Sequence, residues 1–341
     1  MAKQKTPARS FNTVKHSNRD KRIKRKQNQR IVLLSIFLVV ILIVLSMLSF
    51  GVLSIVNLIR GNQSGKPPVG NPNEQDPLPP AEIVYTALPK LNSEINQGEL
   101  IIININHYYS PENALPSLKL IRENQAKNEY GFNIYELSEQ HYQLNVTALD
   151  AFNEMMQKYY SVSDGDTTTK VSDAYRTAEA QSQKPNTSVQ AGYSDHHSGY
   201  CLALRINDGN FLDPNHWIYE NAHKYGFVVR YPAGKESFTY VNNYTYCLRY
   251  VGVAHATYMK ANNLCMEEYV ALLQQNYASS TDLTFTGVDG NQYKVYYTPA
   301  STDTLTTLQV PSNYEYSISG DNMGGFIVTV NLSKPITESA E

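Results

Sequence analysis

Two short segments decide the fold of this chain. They read SDHHSGYCLAL at residues 194–204 and YTYCLRYVG at residues 244–252. Alternate residues of a β-strand lie on the same face of a sheet, so Cys201 and Ala203 are expected to share one face. For the same reason His196 and His197 are expected to point to opposite faces of a strand. The second segment predicts another strand over residues 246–251.

The surrounding sequence alternates between helical and strand patterns. Residues 146–160 carry apolar side chains at Leu149, Phe152, Met155 and Met156, the spacing of a helix that buries one face. A further helix is predicted from Asp213, as N-cap, with Pro214 at its first position and Gly226 as its stop. Strands are predicted at 100–106, 170–175 and 227–231, and helices at 256–261 and 266–275. This mixture predicts an α+β domain with a mainly antiparallel sheet.

The N-terminal sixty residues have the composition of a membrane anchor. Residues 1–30 contain eleven Lys or Arg and one acid, whereas residues 31–59 contain no charge. The apolar run exceeds the roughly 7–15 residues of a signal-peptide core and can cross the roughly 30 Å hydrocarbon layer. The positive-inside rule then places residues 1–30 in the cytoplasm and the chain after Arg60 outside the cell. Topology alone accounts for the basic arm, so we expect no nucleic-acid partner.

The composition predicts five successive segments. They are a basic cytoplasmic arm (1–30), a single-pass transmembrane helix (31–59), a Pro-rich linker (60–87), the main folded domain (88–279) and a small C-terminal β module (280–341). The linker is expected to be extended, because proline-rich segments favour polyproline conformations. The β module is inferred from strand-like alternation at 292–297 and 325–330, and its sequence indicates no particular function.

The two opening segments resemble the VanY-type D-alanyl-D-alanine carboxypeptidases, zinc enzymes that trim cell-wall peptides. The resemblance spans residues 92–275 and rests on the patterns S-x-H-x-x-G and R-Y-V-G, together with residues 221–236. It implies that the first metal ligand is His196, whereas the family's Asp ligand falls on Ala203 and its second His on Cys247. The family's general base, a glutamate, falls on Tyr244. The resemblance therefore implies the VanY-type fold with a degenerate catalytic site.

The resemblance also implies a retained ligand pocket. Arg176 stands in the family's Tyr-Arg-[Ser/Thr] … Gln motif, in which this arginine pairs with the free carboxylate of a terminal D-alanine. A planar guanidinium suits that task because it donates two parallel hydrogen bonds to a carboxylate. The expected ligand-binding residues are Arg176, Gln181, Ser194 and His196.

The cysteines leave several alternatives open. No zinc and no other cofactor are expected, because a catalytic zinc normally has three protein ligands and His196 alone is not a site. A zinc site rebuilt from His196, Cys201 and Cys247 is one alternative, and a thiol nucleophile paired with His196 is another. Cys201 and Cys247 are also candidates for a disulfide, weighed evenly against two small buried thiols.

Three functions are compatible with this sequence. The first is a membrane-tethered, extracellular pseudoenzyme that binds cell-wall peptide stems or a cell-surface protein. The second is an active cell-wall D,D-carboxypeptidase that uses an unorthodox metal or thiol site, and the third is a structural domain with an empty pocket. Retention of Arg176 favours binding over scaffolding, and the changes at Ala203, Tyr244 and Cys247 disfavour hydrolysis.

Overall fold

The computed structural model describes residues 82–110, 117–184, 189–206, 216–242, 244–277 and 281–336. The predicted arm, the transmembrane stretch 31–59 and most of the predicted linker lie outside these residues. Within the described ranges no helix is both long and apolar enough to cross a bilayer.

Strands and helices alternate along the described chain. The strands are β1 (Tyr85–Leu91), β2 (Leu118–Leu120), β3 (Glu136–Leu137), β4 (Gln143–Asn145), β5 (Lys170–Asp173), β6 (Cys201–Arg205), β7 (Phe227–Tyr231), β8 (Tyr244–Tyr250), β9 (Leu283–Thr286), β10 (Gln292–Pro299), β11 (Leu305–Pro311), β12 (Tyr314–Gly320) and β13 (Gly325–Pro335). The helices are α1 (Ile121–Asn124), α2 (Val146–Val162), α3 (Ala178–Ser182), α4 (Trp217–Asn221), α5 (Glu236–Thr239), α6 (Val253–Ala261) and α7 (Met266–Asn276), with 3-10 turns at Asn92–Asn96, Asp195–Ser198 and Ala222–Tyr225.

The central layer is a five-stranded sheet in the order β3-β5-β6-β8-β7. Only the β3–β5 pair is parallel, and the other three pairs are antiparallel. Helix α2 packs on this sheet through Leu149, Phe152, Met155 and Met156, which are fully buried. Asn145 caps this helix by accepting a hydrogen bond from the Thr147 amide at 2.9 Å. The α+β fold with a mainly antiparallel sheet is therefore confirmed.

The C-terminal strands form a second sheet in the order β12-β13-β10-β9. Its face shares a buried cluster with the first part of the chain, in which Val295 and Ile327 pack with Ile102 and Val270. Strand β1 pairs along its whole length with β11, although part of β1 falls in the range predicted as linker. The division into domains stays a prediction, but the C-terminal strands do not stand apart from the rest of the described fold.

Two local expectations differ from the structure. Residues Leu100, Ile101, Ile102 and Ile103 are almost fully buried, as expected, but they form no strand ladder. The helix predicted from Asp213 is seen from Trp217, with the ring of His216 capping it by accepting from the Ile218 amide. Asp213 and Pro214 lie outside the described residues.

A buried cluster of charges explains the extended course of this apolar segment. Arg249 and Arg230 are fully buried, and both contact the fully buried carboxylate of Asp195. The remaining guanidinium hydrogens of Arg249 reach the main-chain oxygens of Glu99 and Ile101, at 3.0 and 3.3 Å. Carbonyl groups that would bond to a neighbouring strand are thus used to solvate a buried cation.

The Asp195 carboxylate is held in its charged form by these partners. Burial alone would raise the pKa of Asp195, but the Arg249 and Arg230 guanidinium groups hold it below its usual range. A carboxyl whose folded pKa is depressed stabilises the fold above its unfolded pKa of about 4, and this contribution is lost as pH falls through the folded value.

We predict that Asp195→Asn lowers the free energy of unfolding by about 3–5 kcal/mol, because it leaves two buried guanidinium groups without their shared counter-ion. Denaturant unfolding of the purified chain, followed by the emission of its single tryptophan, Trp217, measures this change. The matched control is Glu315→Gln, which removes an exposed carboxylate 3.3 Å from Lys334 and should cost no more than about 1 kcal/mol. Equal losses of unfolding free energy in the two variants would show that the buried cluster stabilises the fold no more than an exposed ion pair does.

Candidate ligand-binding site

A cavity of about 350 Å³ opens beside β5, β6 and β8. All four residues expected to bind ligand line it, namely Arg176, Gln181, Ser194 and His196. The three positions where the family's chemistry is replaced, Ala203, Tyr244 and Cys247, line the same cavity. The fold therefore brings together residues that are up to 71 positions apart in sequence, from Arg176 to Cys247.

His196 and His197 lie on a 3-10 turn, Asp195–Ser198, and not on a strand as expected. The turn ends at Gly199, whose φ of 76° is readily adopted only by glycine. His196 faces the cavity, whereas His197 is buried and donates from Nδ1 to the Arg176 carbonyl at 2.6 Å. Its Nε2 accepts from the Gly192 amide at 3.0 Å, so His197 fixes the loop that carries Arg176.

The register of β6 and β8 places two of the replaced positions opposite each other. Ala203 lies directly opposite Cys247, and Cys201 lies opposite Arg249. Cys201, Ala203 and Cys247 form one small buried cluster, against which Tyr231 and Tyr246 pack. The family's ligand positions 203 and 247 thus meet at one point, but the methyl group of Ala203 offers no donor atom to a metal.

The thiols of Cys201 and Cys247 are in hydrogen-bonding contact. The Cys201 thiol donates to Cys247, and a second contact with His196 also lowers the pKa of Cys247, although burial opposes both effects. The same hydrogen bond and burial raise the pKa of Cys201 well above its ordinary value. Cys247 is therefore the cysteine that carries thiolate character.

Cys201 and Cys247, weighed evenly as a disulfide or as two small buried thiols, are free and buried in the structure. Cys201 is diagonal to Cys247 across the β6–β8 pair, because Cys247 faces Ala203. Diagonal neighbours on paired strands are typically about 7–8 Å apart, beyond the roughly 4.4–6.8 Å between the Cα atoms of most disulfides. The third cysteine, Cys265, is also free and buried.

The cationic side of the cavity is organised around Asp173. Arg176 donates to its carboxylate and to the side-chain oxygen of Gln181, and Lys184 contacts the same carboxylate. Burial would raise the pKa of Asp173, but His196, Arg176 and Lys184 hold it below the ordinary value. Arg205 also lines the cavity, so three permanent cations face one carboxylate there. The surplus of positive charge suits a ligand that carries a carboxylate.

The donor set does not fit a catalytic zinc. His196 and Cys247 are the remaining donors at the family's three ligand positions, and His196 Nδ1 is buried without a hydrogen-bond partner among the described residues. Across the described ranges no three His, Cys, Asp or Glu side chains are grouped closely enough to hold a metal ion. His196, Cys201 and Cys247 do not form such a group.

Sequence reasoning missed Asp173, Lys184 and Arg205 as parts of this cavity. Asp173 ends β5 three residues before Arg176, which brings its carboxylate back to that guanidinium. The i, i+3 spacing of an acid inside the predicted strand 170–175 and a base directly after it was a usable signal. Lys184 is separated from Asp173 by eleven positions, and no sequence pattern links the two.

Known proteins match both the sequence and the fold. The family model described as D-alanyl-D-alanine carboxypeptidase, VanY, matches residues 140–253. A D-alanyl-D-alanine carboxypeptidase of Enterococcus faecium is 32% identical over 244 residues, which cover 70% of this chain and 76% of that protein. A second one, of Enterococcus faecalis, is 37% identical over 100 residues, covering 28% of this chain and 37% of its own length.

Among solved structures, the vancomycin-resistance D,D-dipeptidase VanXYg, in complex with a D-Ala-D-Ala phosphinate analogue, superimposes with a TM-score of 0.61. It is 22% identical to this chain, and the match covers 73% of this chain and 99% of VanXYg, so this likeness concerns the fold. The carboxypeptidase of Enterococcus faecium exceeds 30% identity over most of its length. The chain therefore belongs to the VanY-type D-alanyl-D-alanine carboxypeptidase family.

Proposed function

We propose that this chain is a membrane-anchored, extracellular pseudoenzyme that binds the C-terminal carboxylate of cell-wall peptide stems without cleaving them. The observation that carries this proposal is a contrast within one cavity: the residues suited to binding a carboxylate are present, whereas metal-ligand positions are changed. Arg176 and Gln181 remain in contact beside a surplus of positive charge, whereas Ala203 and Cys247 stand at two metal-ligand positions. Relatives named as D-alanyl-D-alanine carboxypeptidases support a peptide ligand of that type.

Recognition would rest on the guanidinium of Arg176. Its side chain is only 10% exposed, and Asp173 and Gln181 hold it in one orientation. A guanidinium fixed in this way loses little conformational entropy when it pairs with a ligand carboxylate. Lys184 and Arg205 increase the attraction for an anion at the same cavity.

Cleavage would lack both an activated water and a base. Catalytic zinc lowers the pKa of a bound water to about 7, and the donor set here does not fit that ion. Tyr244 stands in place of the glutamate base and is exposed, with its ring 6.3 Å from that of Tyr231. A phenol hydroxyl carries its own proton and does not provide the carboxylate that the family uses as a base.

The location proposed for this function follows from residues outside the described structure. The basic arm 1–30 and the uncharged run 31–59 support an anchor with the folded part outside the cell.

A cell-surface protein with an exposed C-terminal carboxylate could bind to the same cationic residues as a peptide stem. Competition between such a protein and a D-Ala-D-Ala peptide distinguishes the two ligands.

We predict that the purified full-length chain contains no stoichiometric zinc and releases no D-alanine from a peptide that ends in D-Ala-D-Ala. Elemental analysis measures the metal, and quantification of free D-alanine measures the reaction. Near-stoichiometric zinc, together with D-alanine release that a chelator abolishes, would contradict the proposal.

We also predict that Arg176→Ala weakens binding of a D-Ala-D-Ala peptide about tenfold or more, because a charged hydrogen bond is worth about 1.5–3 kcal/mol. Isothermal titration calorimetry measures the affinity. Arg122→Ala is the matched control, since Arg122 is exposed and pairs only with Glu123 in the described structure. Equal binding by wild type and Arg176→Ala would favour a scaffold with an empty pocket.

A second candidate function is thiol-dependent hydrolysis in the same cavity, and the contact between Cys247 and His196 is the observation that favours it. The Cys247 thiolate would attack the peptide carbonyl and form a thioester. His196 would protonate the departing amine, and water would then hydrolyse the thioester.

The zinc and D-alanine measurements separate the two candidates. D-Alanine release that survives a chelator, is lost in Cys247→Ser and persists in Cys265→Ser would replace the binding proposal by thiol-dependent hydrolysis.

A further inference from the structure

A second cavity, of about 360 Å³, lies between the start of helix α6 and the C-terminal sheet. It shares no lining residue with the cavity around Arg176. Glu99, Tyr200, Tyr250 and Tyr293 belong to its wall, and we call it the Glu99 cavity. Neither the family's catalytic positions nor the proposed peptide site involves these four residues.

Two tyrosine rings form a rigid wall of the Glu99 cavity. The rings of Tyr200 and Tyr250 are stacked, with centroids 6.3 Å apart and an interplanar angle of 17°. The Tyr250 amide donates to the Tyr200 carbonyl at 2.9 Å, and the Phe227 ring lies edge-on to Tyr250 at 5.3 Å. The Cβ atom of any other residue at position 226 would lie 2.7 Å from the Tyr250 ring, so the glycine leaves the space that the ring needs.

Three polar groups in this wall have unused hydrogen-bonding capacity. Within the described residues, the hydroxyl groups of Tyr200 and Tyr250 have no hydrogen-bond partner, and Glu99 forms no ion pair. The nearby Arg249 guanidinium is directed to the Asp195 carboxylate, donates to the main-chain oxygen of Glu99 and lies 5.6 Å from the centre of the Tyr200 ring. Burial raises the pKa of Glu99 more than the charge of Arg249 lowers it. Convergent polar groups in a mostly apolar cavity are the usual composition of a small-molecule site.

The charge of Glu99 indicates which class of ligand the cavity suits. Burial raises the pKa of Glu99, because its charged form lacks the hydration it would have in water. Its negative charge also raises the pKa values of Tyr200 and Tyr250, although burial contributes more to both shifts. A cation that entered the cavity would offset the cost of this buried charge, whereas a neutral ligand would not.

We propose that the Glu99 cavity binds a primary ammonium group carried on a short aliphatic chain. The ammonium has three N–H donors, which match the Glu99 carboxylate and the two tyrosine hydroxyls. The aliphatic part of the ligand covers apolar surface of the cavity, including that of the tyrosine rings. The same carboxylate rejects an anionic ligand by repulsion.

The test uses the purified full-length chain and n-butylammonium as the probe, with n-butanol as its neutral counterpart, in a ligand-observed NMR titration. Saturable binding of n-butylammonium and at least tenfold weaker binding of n-butanol are expected. Glu99→Gln should weaken n-butylammonium binding at least tenfold. Glu129→Gln, which removes an exposed carboxylate from the turn at residues 128–133, should leave it unchanged.

Further measurements keep the test decisive. Trp217 emission and the thermal midpoint show whether Glu99→Gln is folded. If it is not, Tyr250→Phe takes its place, because this substitution keeps the ring and removes only a hydroxyl. Tyr250→Phe should weaken n-butylammonium binding several-fold. The proposal is overturned if wild type does not saturate with n-butylammonium, if n-butanol binds equally well, or if both cavity variants bind like wild type. Binding of the D-Ala-D-Ala peptide should be the same in Glu99→Gln, so failure here leaves the proposed peptide site unaffected.

Discussion

The ion cluster of Asp195, Arg230 and Arg249 holds the ligand cavity in its shape. Asp195 begins the turn that carries His196, Arg249 lies two residues after Cys247 on β8, and Arg230 precedes Tyr231 on β7. One carboxylate therefore ties the turn to two strands of the central sheet. Arg230 also forms two bonds of 2.8 and 3.0 Å with Glu267 at the start of helix α7. Loss of any member would leave a charge buried without its partner, which is among the most costly defects in a protein interior.

This arrangement explains how the fold of the family can persist while residues at its ligand positions differ. Ala203 and Cys247 are small side chains at the edge of a cavity, and replacing a metal ligand there leaves no buried charge unpaired. Asp195 and Arg249 have no such freedom, because each is fully buried against the other. A substitution in the buried ion cluster below the cavity is thus expected to lower the free energy of unfolding strongly. A substitution on the cavity surface is expected to lower it little. A site can lose its metal ligands and still keep the position of Arg176.

The sequence predicted the structure correctly where a pattern of side chains is compatible with only one kind of secondary structure and burial. The spacing of Leu149, Phe152 and Met156 predicted helix α2 because only one of its faces is buried. The run at residues 100–103 predicted burial correctly and a strand ladder wrongly, since β-branched residues indicate an apolar environment and not the partner of the main chain. The arginines that solvate this run lie roughly 130 and 150 positions away in sequence, beyond the reach of local patterns.

The same limit applied to the candidate site. The motif residues Arg176, Gln181, Ser194 and His196 were placed in one cavity by resemblance, and the structure brings all four to its wall. Local sequence could not decide whether His196 lay on a strand or on a turn, because a glycine with positive φ at position 199 is compatible with either. The three polar groups of the Glu99 cavity could not be found from sequence either, because they come from three separate segments of the chain.

The pairing of β1 with β11 has a mechanical consequence. Tension applied to the chain before residue 82 first reaches Glu82, whose carbonyl accepts from the Asn313 side chain. It then reaches Val84, which bonds to Ser312 and Asn313, and Tyr85, opposite Pro311. The first bonds to carry such a load belong to the C-terminal strands and not to the sheet that bears the ligand cavity. A pull on the chain before residue 82 would therefore load the two-stranded β1–β11 sheet first and leave the central sheet around Arg176 shielded from force.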